Sequence, residues 1–504
     1  MTATDDSIPT TGGARSRLGL VLLACCVGQF MVVLDASIVN VALRPIQDSL
    51  DFSASTLQWV INAYTIVFAG FLLLGGRLAD LFGRRRVFAL GLALFTLASL
   101  VAGLAWSPSS LLIARGIQGL GGAVLAPATL TVLFTSFTDP GGKARAFGTW
   151  SAVAAAGGAI GALVGGVVTE WLSWRWIFLV NVPIGVALIT LVLSVVPESR
   201  DERADRRIDV IGAMAVTAGL MAVVLGIVES QDKGWDSAVT IVSLVVGVLL
   251  VAFFLVNEAK FARQPLVPLS IFRNRSVSAA NVVNFTTSAA LVGVLFLFTL
   301  LMQFVYGFDA LKTGLAYLPL SLAIVVTARG LAPQLITRLG PKPVLVTGSA
   351  LSLVALIWLS FVSTDGGFVH DLLGPSILFG AGQGFVSATV TMAGTANVPY
   401  TQAGLVSGLL NASRQVGGAL WLSVLAAVVA GHAGSLSAGA SADGYQQAFL
   451  IATVFPLVGI IAGLAVPGVS PAELAAAKQS WGAKKPADSA QGDPPIRGHN
   501  RPAR

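Results

Sequence analysis

The sequence predicts an all-α integral membrane protein with fourteen transmembrane helices, arranged as two six-helix bundles plus two extra central helices. Three observations predict it: the composition, the distribution of basic residues and a weak internal repeat. Of the 504 residues, 55% are hydrophobic and only 11% are charged. A soluble globule of this composition would have nowhere to hide its apolar surface, so the composition predicts a polytopic membrane protein.

The apolar runs define the predicted spans. About 20 apolar residues are needed to cross the hydrocarbon core of a bilayer. Runs interrupted by turn residues or charge clusters cover 18–43, 56–76, 87–105, 109–135, 144–168, 176–197, 209–229, 238–257, 276–305, 313–338, 343–363, 371–395, 404–430 and 446–466. An even number of spans places both termini on one side of the membrane.

The basic residues follow this division. Of the 31 Lys and Arg residues, 24 fall on the side that holds the termini, four on the other side and three within spans. Basic residues are retained on the cytoplasmic side of a membrane. We therefore expect a bacterial inner-membrane protein with both termini in the cytoplasm. The net charge of +7 then reflects topology and does not indicate nucleic-acid binding.

A degenerate repeat relates the two ends of the chain. Matches at an offset near 260 residues pair Leu78 and Gly83 with Leu335 and Gly340, Gln118–Gly119 with Gln383–Gly384, and Gly157–Gly158 with Gly417–Gly418. Chance matching among glycine-rich helices is the alternative for any one pair. The offset predicts a tail (1–17), a six-helix bundle (18–197), a charged linker (198–208), an extra helix pair (209–257), a second linker (258–275), a second bundle (276–466) and a disordered tail (467–504).

Two charged residues lie deep inside predicted spans of the first half. Asp35 is the only acidic residue placed deep in any span, and a carboxylate there costs roughly 2.5–3.5 kcal/mol to insert. Counting residues from the helix ends puts Arg115 at a similar depth. We expect the two to face the same interior, where Asp35 takes up a proton and Arg115 favours its charged form. The alternative is a static ion pair that only fixes helix packing.

Other polar residues within spans are candidates for lining a cavity. They are Asn40, Asn62, Gln118, Gln383 and Arg414. Contacts between helices are an equally good interpretation of the four amides. Arg414 falls near mid-depth and needs an internal partner or an anionic ligand.

The fifth span carries glycines at a spacing of four residues, Gly157, Gly161 and Gly165, followed by Gly166. This spacing places the first three on one helix face, where another backbone can approach closely. Generic helix packing is the commoner meaning of such a pattern.

A short basic hairpin, residues 76–86, separates the second and third predicted spans. Its glycines permit a tight reversal. Its candidate functional residues are Gly76, Asp80, Gly83, Arg84 and Arg85.

Enzyme signatures are missing from the sequence. It contains neither a phosphate-binding Gly-x-x-x-x-Gly-Lys-Ser/Thr loop nor a His-Glu-x-x-His motif. We therefore expect no cofactor and no metal, and a process driven by an ion gradient or by the gradient of the substrate itself.

Together these residues resemble the fourteen-helix drug:proton antiporter branch of the major facilitator superfamily, over roughly residues 18–466. The matching stretches are the Asp35–Leu43 run, the 76–86 hairpin, Arg115-x-x-Gln118-Gly119, the glycine-rich fifth helix, and residues 173–185. Three positions depart from the family pattern: Ala162 replaces the Pro after Gly161, Leu81 replaces an Arg of the hairpin, and Arg44 occupies the usual place of a Pro.

The resemblance implies export of amphipathic small molecules in exchange for protons, by rocking of two six-helix bundles around a central cavity. It also implies that the Asp80 hairpin latches the halves on the cytoplasmic side, that the Arg115 helix takes part in proton coupling, and that the fifth-helix glycines form the antiporter motif. The expected partners are an amphipathic substrate, protons and the lipid bilayer, with a monomer favoured. Transport of one endogenous metabolite is an alternative, and a membrane-embedded lipid-modifying enzyme is a remote one.

Overall fold

The described chain folds into helices joined by short connections. In this computed structural model the described residues are 11–53, 56–137, 140–199, 209–262, 265–363, 366–395, 398, 400–433 and 442–468, and no strand occurs within those ranges.

The first half contains α1 (Thr11–Ile38), α2 (Leu43–Leu50), α3 (Trp59–Phe82), α4 (Arg84–Gly103), α5 (Pro108–Ser136), α6 (Pro140–Trp171), α7 (Trp176–Leu179) and α8 (Asn181–Val195). The extra pair is α9 (Val210–Lys233) and α10 (Ala238–Val256). The second half contains α11 (Arg275–Leu300), α12 (Ala310–Ala316), α13 (Leu318–Val326), α14 (Ala332–Leu339), α15 (Pro341–Leu359), α16 (Leu373–Thr395), α17 (Tyr400–Ala433), α18 (Ala442–Ala452) and α19 (Val454–Ala465). We call the end of the bundle where α1 begins the near face, and the end where α1 finishes the far face.

Twelve helical stretches of the described chain are long and apolar enough to cross a membrane. The predicted total of fourteen is therefore not supported by those residues. At the positions of the second and fifth predicted spans, the described apolar stretches are shorter, Trp59–Leu72 within α3 and Ile160–Trp171 within α6. The extra pair and the remaining predicted spans each coincide with one of the twelve.

Some predicted boundaries differ from the structure. Helix α1 begins at Thr11, so residues 11–17, predicted as part of a tail, are helical. Hydropathy shows where the apolar residues begin, but a helix can start before them, in a polar stretch. Arg17 in this first part of α1 is exposed, and its Nε donates to the Val195 carbonyl at 3.2 Å. Of the predicted linker 198–208, residues 200–208 lie outside the described residues, as do 1–10 and 469–504.

The predicted second linker is partly folded. A π-helical turn, Asn257–Phe261, extends α10, and a 3-10 turn, Leu269–Arg273, precedes α11. Glu258 is buried, and its Oε2 accepts a hydrogen bond from the Val267 amide at 2.7 Å. Val267 and Ile271 of this segment also belong to a buried cluster with residues of α11, so the segment packs against the bundle.

The two halves share one core at the far face and have separate cores at the near face. The far-face core combines Ile38 and Leu43 of the first half with Leu297 and Leu301 of the second. Towards the near face, one core consists only of residues from the first half. Another consists of residues from the second half together with residues from the extra pair. The described halves are therefore joined at the far face and separated towards the near face.

The extra pair packs on one side of the bundle. Helix α9 contacts both α3 and α17, where Leu220 and Val224 pack with Ile66 and Ala419. It therefore lies along the seam between the two halves. Helix α10 packs mainly on α9, and only 17% of the residues in its most apolar stretch are buried.

Candidate functional site

A buried carboxylate, Asp35, lies within the first half on α1. Its Oδ2 accepts a hydrogen bond from Arg115 Nη1 on α5 at 2.5 Å. Its Oδ1 accepts from Gln118 Nε2 at 2.7 Å and from Asn181 Nδ2 at 3.3 Å. An ionised carboxylate only accepts hydrogen bonds, and three donors on two oxygens satisfy it well. The two oxygens of Asp35 are therefore fully engaged by donors from α5 and α8 in this conformation.

Arg115 is fixed by more than its ion pair. Its Nε donates to the Val60 carbonyl at 3.0 Å, and Nη1 also donates to Gln118 Oε1 at 2.7 Å. The guanidinium carbon lies 4.4 Å from the ring centroid of Tyr64 and 5.6 Å from that of Phe178. Aromatic faces attract a cation, most strongly when water is excluded. Helices α3, α5 and α7 thus position one guanidinium against Asp35.

Two amides complete the network. Gln118 is fully buried and donates through Nε2 to Ser99 Oγ at 2.8 Å as well as to Asp35. Asn181, at the start of α8, is a partner that sequence reasoning did not identify. The available signal was an amide within an otherwise apolar run, but nothing along the chain relates it to α1.

Helix α6 packs against α1 through the predicted glycine face. A Cβ on Gly161 would lie 2.7 Å from Ser37 Cβ, and one on Gly165 would lie 2.8 Å from the Ile38 carbonyl. Gly157 packs more loosely, on Phe30. Because Ser37 and Ile38 follow Asp35 closely on α1, any movement of α6 is transmitted to the helix that carries the carboxylate.

Gly166 has a different neighbour from the other three glycines. A Cβ there would lie 2.6 Å from the Ala310 carbonyl of α12, in the second half. The fifth-helix glycines therefore serve two contacts, one within the first half and one between the halves.

Four of the five candidate cavity-lining side chains are buried and do not line an open space in this conformation. They are Asn40, Asn62, Gln118 and Gln383. The sequence predicts that these amides lie within the spans, but not which side of the helix they are on. In the structure they lie on sides that contact other parts of the protein. Asn40, for example, donates back to the Ala36 and Ser37 carbonyls of its own chain segment, each at 3.2 Å.

Arg414 differs from these amides because it is exposed. Its Nη2 donates to Asn411 Oδ1, one helical turn earlier on α17, at 3.1 Å. Among the described residues it forms no ion pair.

Several contacts join the halves at the far face. Arg44 Nη1 donates to the Gln303 carbonyl at 2.5 Å, and Gln303 Nε2 donates to the Val41 carbonyl at 2.8 Å. Asn62 Nδ2 donates to Ser423 Oγ at 2.7 Å. Sequence reasoning noted Arg44 only as a departure from a family pattern; the structure gives it a partner in the other half.

The basic hairpin contacts its own half. Gly83 has φ +102°, and the Arg84 amide donates to the Ser199 carbonyl at 2.9 Å. Glu198 Oε2 lies 3.7 Å from Arg85 Nε and 3.5 Å from Arg86 Nε.

The remaining hairpin positions add little to this contact. A Cβ on Gly76 would meet only Pro127, at 3.6 Å. The side chain of Asp80 lies outside the described residues.

Comparison with known proteins gives consistent matches along most of the chain. A family model described as the Major Facilitator Superfamily matches residues 25–422. The cephamycin export protein CmcT of Amycolatopsis lactamdurans is 40% identical over 457 residues, covering 89% of this chain and 94% of that protein. The puromycin resistance protein of Streptomyces alboniger is 37% identical, with 89% of each chain covered. The tetracenomycin C resistance and export protein of Streptomyces glaucescens is 34% identical, covering 84% of this chain and 78% of that protein.

Solved structures share the fold at low identity. The POT family transporter PepTSo aligns with a TM-score of 0.64 and 15% identity over 93% of this chain and 99% of that one. An inward-facing, unoccupied bacterial homologue of the human lysosomal transporter Spinster aligns with a TM-score of 0.61 and 15% identity, covering 89% and 98%.

Proposed function

Because the chain belongs to the Major Facilitator Superfamily and is a transporter, not an enzyme, we propose that it exports hydrophobic or amphipathic antibiotic-like compounds across the bacterial cytoplasmic membrane in exchange for protons. Relatives named for the export of, or resistance to, cephamycin, puromycin and tetracenomycin C support the substrate class. The observation that carries the proton exchange is the buried Asp35 network, because a titratable group at membrane depth is costly and functional by default.

In this proposal the near face is cytoplasmic, as the distribution of basic residues predicts. Helices α3 and α6 also cross the membrane, which makes fourteen spans. At 24 and 32 residues, and about 1.5 Å per residue, both are long enough to do so. The far-face contacts then close the outer side, and the conformation described here is open to the cytoplasm.

Asp35 carries the proton and Arg115 is its counter-charge. While the network is intact, Asp35 is buried. Separation of α1 from α5 would expose the carboxylate and remove a donor, so that it takes up a proton from the outer side. On the return to the cytoplasm-open state, Arg115 and Gln118 approach the carboxylate again, and the proton leaves to the inside before the network closes.

The other predicted site residues act in the exchange between conformations. We assign the glycine face of α6 (Gly157, Gly161 and Gly165) to sliding against α1, next to Asp35. The hairpin residues Gly76, Asp80, Gly83, Arg84 and Arg85 form the near-face latch when that side closes. Asn40, Asn62 and Gln383 face the substrate path when the far face opens. The transporter works as a monomer.

The experiment is proton release from vesicles that contain the purified protein. A panel of lipophilic cations, neutral antibiotics and amphipathic carboxylates is added to the wild type and to Asp35→Asn. Substrate-triggered proton release by the wild type, lost in Asp35→Asn, supports antiport with Asp35 as the carrier. Asp236→Asn makes the same chemical change at an exposed loop and should behave as wild type.

Substrate movement without proton flux in the wild type would overturn the antiport mechanism. Active pumping by Asp35→Asn would overturn the role of Asp35. Because Asp35→Asn leaves Arg115 without its counter-charge, thermal unfolding of each purified variant must show that it is folded.

A further inference from the structure

Arg414 is an uncompensated positive charge in the interior of the bundle. It lies near the middle of α17, which runs from Tyr400 to Ala433. It is exposed, and Asn411 is its hydrogen-bond partner among the described residues. Arginine within a membrane span normally pairs with an acid or with a ligand.

The packing of α17 shows which way Arg414 faces. On one side, Ser413 Oγ donates to Asn281 Oδ1 of α11 at 2.6 Å, and Gly417 packs directly on the same helix. On another side, Ala419 packs with α3 and α9 residues. Gly418, one turn after Arg414, also packs on α11, through Val292. Successive residues of a helix are offset by about 100°, so Arg414 points along the flank of α11 and away from Ala419.

The seam between the halves runs beside α17. Helices α3 and α17 belong to opposite halves, and α9 covers the seam on one side by packing on both. Arg414 is exposed although it lies mid-span, and we assign it to the space between the halves.

The acids of the helices around α17 lie away from the middle of the bundle, where Arg414 is. Asp80 is in the last turn of α3, and Glu229 and Asp232 are in the last turns of α9. The sequences of α11, α16 and α17 contain neither Asp nor Glu. On α1 and α5 the only acid is Asp35, whose two oxygens are occupied by Arg115, Gln118 and Asn181. Arg414 therefore forms no ion pair with a described side chain, and its one side-chain partner there is the neutral Asn411.

We propose that Arg414, with Asn411, binds the anionic group of the substrate, and that the transported compounds are amphipathic organic monoanions such as carboxylic acids. A planar guanidinium matches a carboxylate with two parallel N–H···O bonds. With Asn411 Oδ1 accepting from Arg414, the Asn411 Nδ2 donors remain for the same anion. The apolar remainder of the compound lies along the bundle wall. This inference rests on the proposed export function and names its substrate class.

The test compares two probes that differ only in charge. Binding of dansyl-leucine, a carboxylate, and of dansyl-leucinamide, its neutral amide, is measured by fluorescence on the purified full-length protein. The wild type should bind the carboxylate at least about tenfold more tightly, as expected for hydrogen bonds to a charged group. Arg414→Gln should lose that preference and bind the amide unchanged, while Arg414→Lys should keep part of it.

Arg329→Gln is the matched control, because Arg329 is another exposed arginine within a predicted span of the second half. It should leave the preference intact. Equal binding of the two probes by the wild type would overturn the assignment. So would loss of the preference for the carboxylate in Arg329→Gln as well as in Arg414→Gln. If Arg414→Gln does not fold, Asn411→Ala replaces it and should weaken only carboxylate binding; an unchanged preference in that variant contradicts the site.

The same vesicles separate the two proposals. Suppose that tetraphenylphosphonium triggers proton release, dansyl-leucine does not, and the protein shows no binding preference for the carboxylate. This result would support antiport and overturn the anion site. Carboxylate binding that depends on Arg414, without proton flux for any substrate, supports the site and overturns antiport.

Discussion

Arg44 and Gln303 fasten the two halves of the transporter to each other at the far face. The guanidinium Nη1 of Arg44 donates to the Gln303 carbonyl at 2.5 Å, 259 residues away along the chain. The Arg44 guanidinium carbon also lies 5.4 Å from the ring centroid of Phe304. In the proposed cycle these contacts would break when the far face opens, so they would stabilise the conformation described here relative to the far-open one.

Replacing Arg44 by Ala should therefore shift the conformational equilibrium. A partly exposed bond of this kind contributes about 1 kcal/mol, or about a fivefold change in the ratio of near-open to far-open molecules. Spin labels in the loops after α3 and α14, with Cys25 and Cys26 replaced, would report the near-face separation.

Arg175→Ala is the control for that measurement. Arg175 Nη2 also donates to a backbone carbonyl, that of Ala105 at 2.9 Å, but within the first half. It should leave the ratio unchanged. The latch interpretation fails if both variants shift the distances equally.

Asp35 and Arg115 should be strongly coupled in stability. Breaking a buried ion pair leaves an uncompensated charge and costs about 3–5 kcal/mol. We expect Asp35→Asn and Arg115→Gln each to approach that loss in free energy of unfolding, and the double variant to lose about 1–3 kcal/mol less than their sum. Denaturation in detergent micelles measures all four proteins.

The Arg85–Glu198 pair is the comparison for this cycle. Its side chains are 35% and 28% exposed, and such pairs contribute about 0.2–1 kcal/mol. Coupling at Asp35 no larger than at Glu198 would contradict the tightly paired network.

Gly166→Ala should act on the conformational equilibrium, and Gly165→Ala on stability. The added methyl of Gly166→Ala meets the Ala310 carbonyl of the other half, so it should reduce the near-open population as Arg44→Ala does. Gly165→Ala meets the Ile38 carbonyl within the same half and should cost about 1–3 kcal/mol of stability without changing the ratio. The labelled proteins distinguish the two outcomes, and a shift caused by Gly165→Ala alone would refute the assignment.

Gly83→Ala should destabilise the near-face hairpin for two separable reasons. Its φ of +102° disfavours any side chain, at about 1–3 kcal/mol, and a Cβ would lie 2.5 Å from Glu198 Oε1. Adding Glu198→Ala should relieve only the steric part. Thermal unfolding measures both, with Gly19→Ala as control because nothing lies within 4 Å of a Cβ there. Full recovery in the double variant would show that the backbone conformation is not strained.

Depth in the membrane can be counted along a sequence, but direction around a helix cannot. Counting placed Asp35 and Arg115 at similar depth, and the structure brings them into contact. Counting also placed Gln118 correctly along α5. Its burial and its bonds to Asp35 and Ser99 depend on how α1, α4 and α5 are rotated, which local hydropathy does not record.

The sequence also did not predict which residues from distant segments contact each other. Asn181 and Arg44 each contact residues more than a hundred positions away, and their own neighbours in sequence carry no sign of it. The glycine spacing predicted a close approach on α6 without indicating that Gly166 faces the second half. The hairpin pattern predicted a tight turn, but its partner Glu198 follows α8, at the start of the predicted charged linker, and nothing in the sequence connects the two.

The position of α9 gives the surrounding lipid a part in the cycle. Because α9 packs on α3 of one half and α17 of the other, a change in the angle between the halves must displace it together with α10. Most residues of helix α10 are exposed, and within a bilayer that side would face the lipid. In the proposed cycle, each turnover would therefore disturb the bilayer on the flank that holds α9 and α10, and membrane thickness and lateral pressure would enter into the barrier between the two conformations.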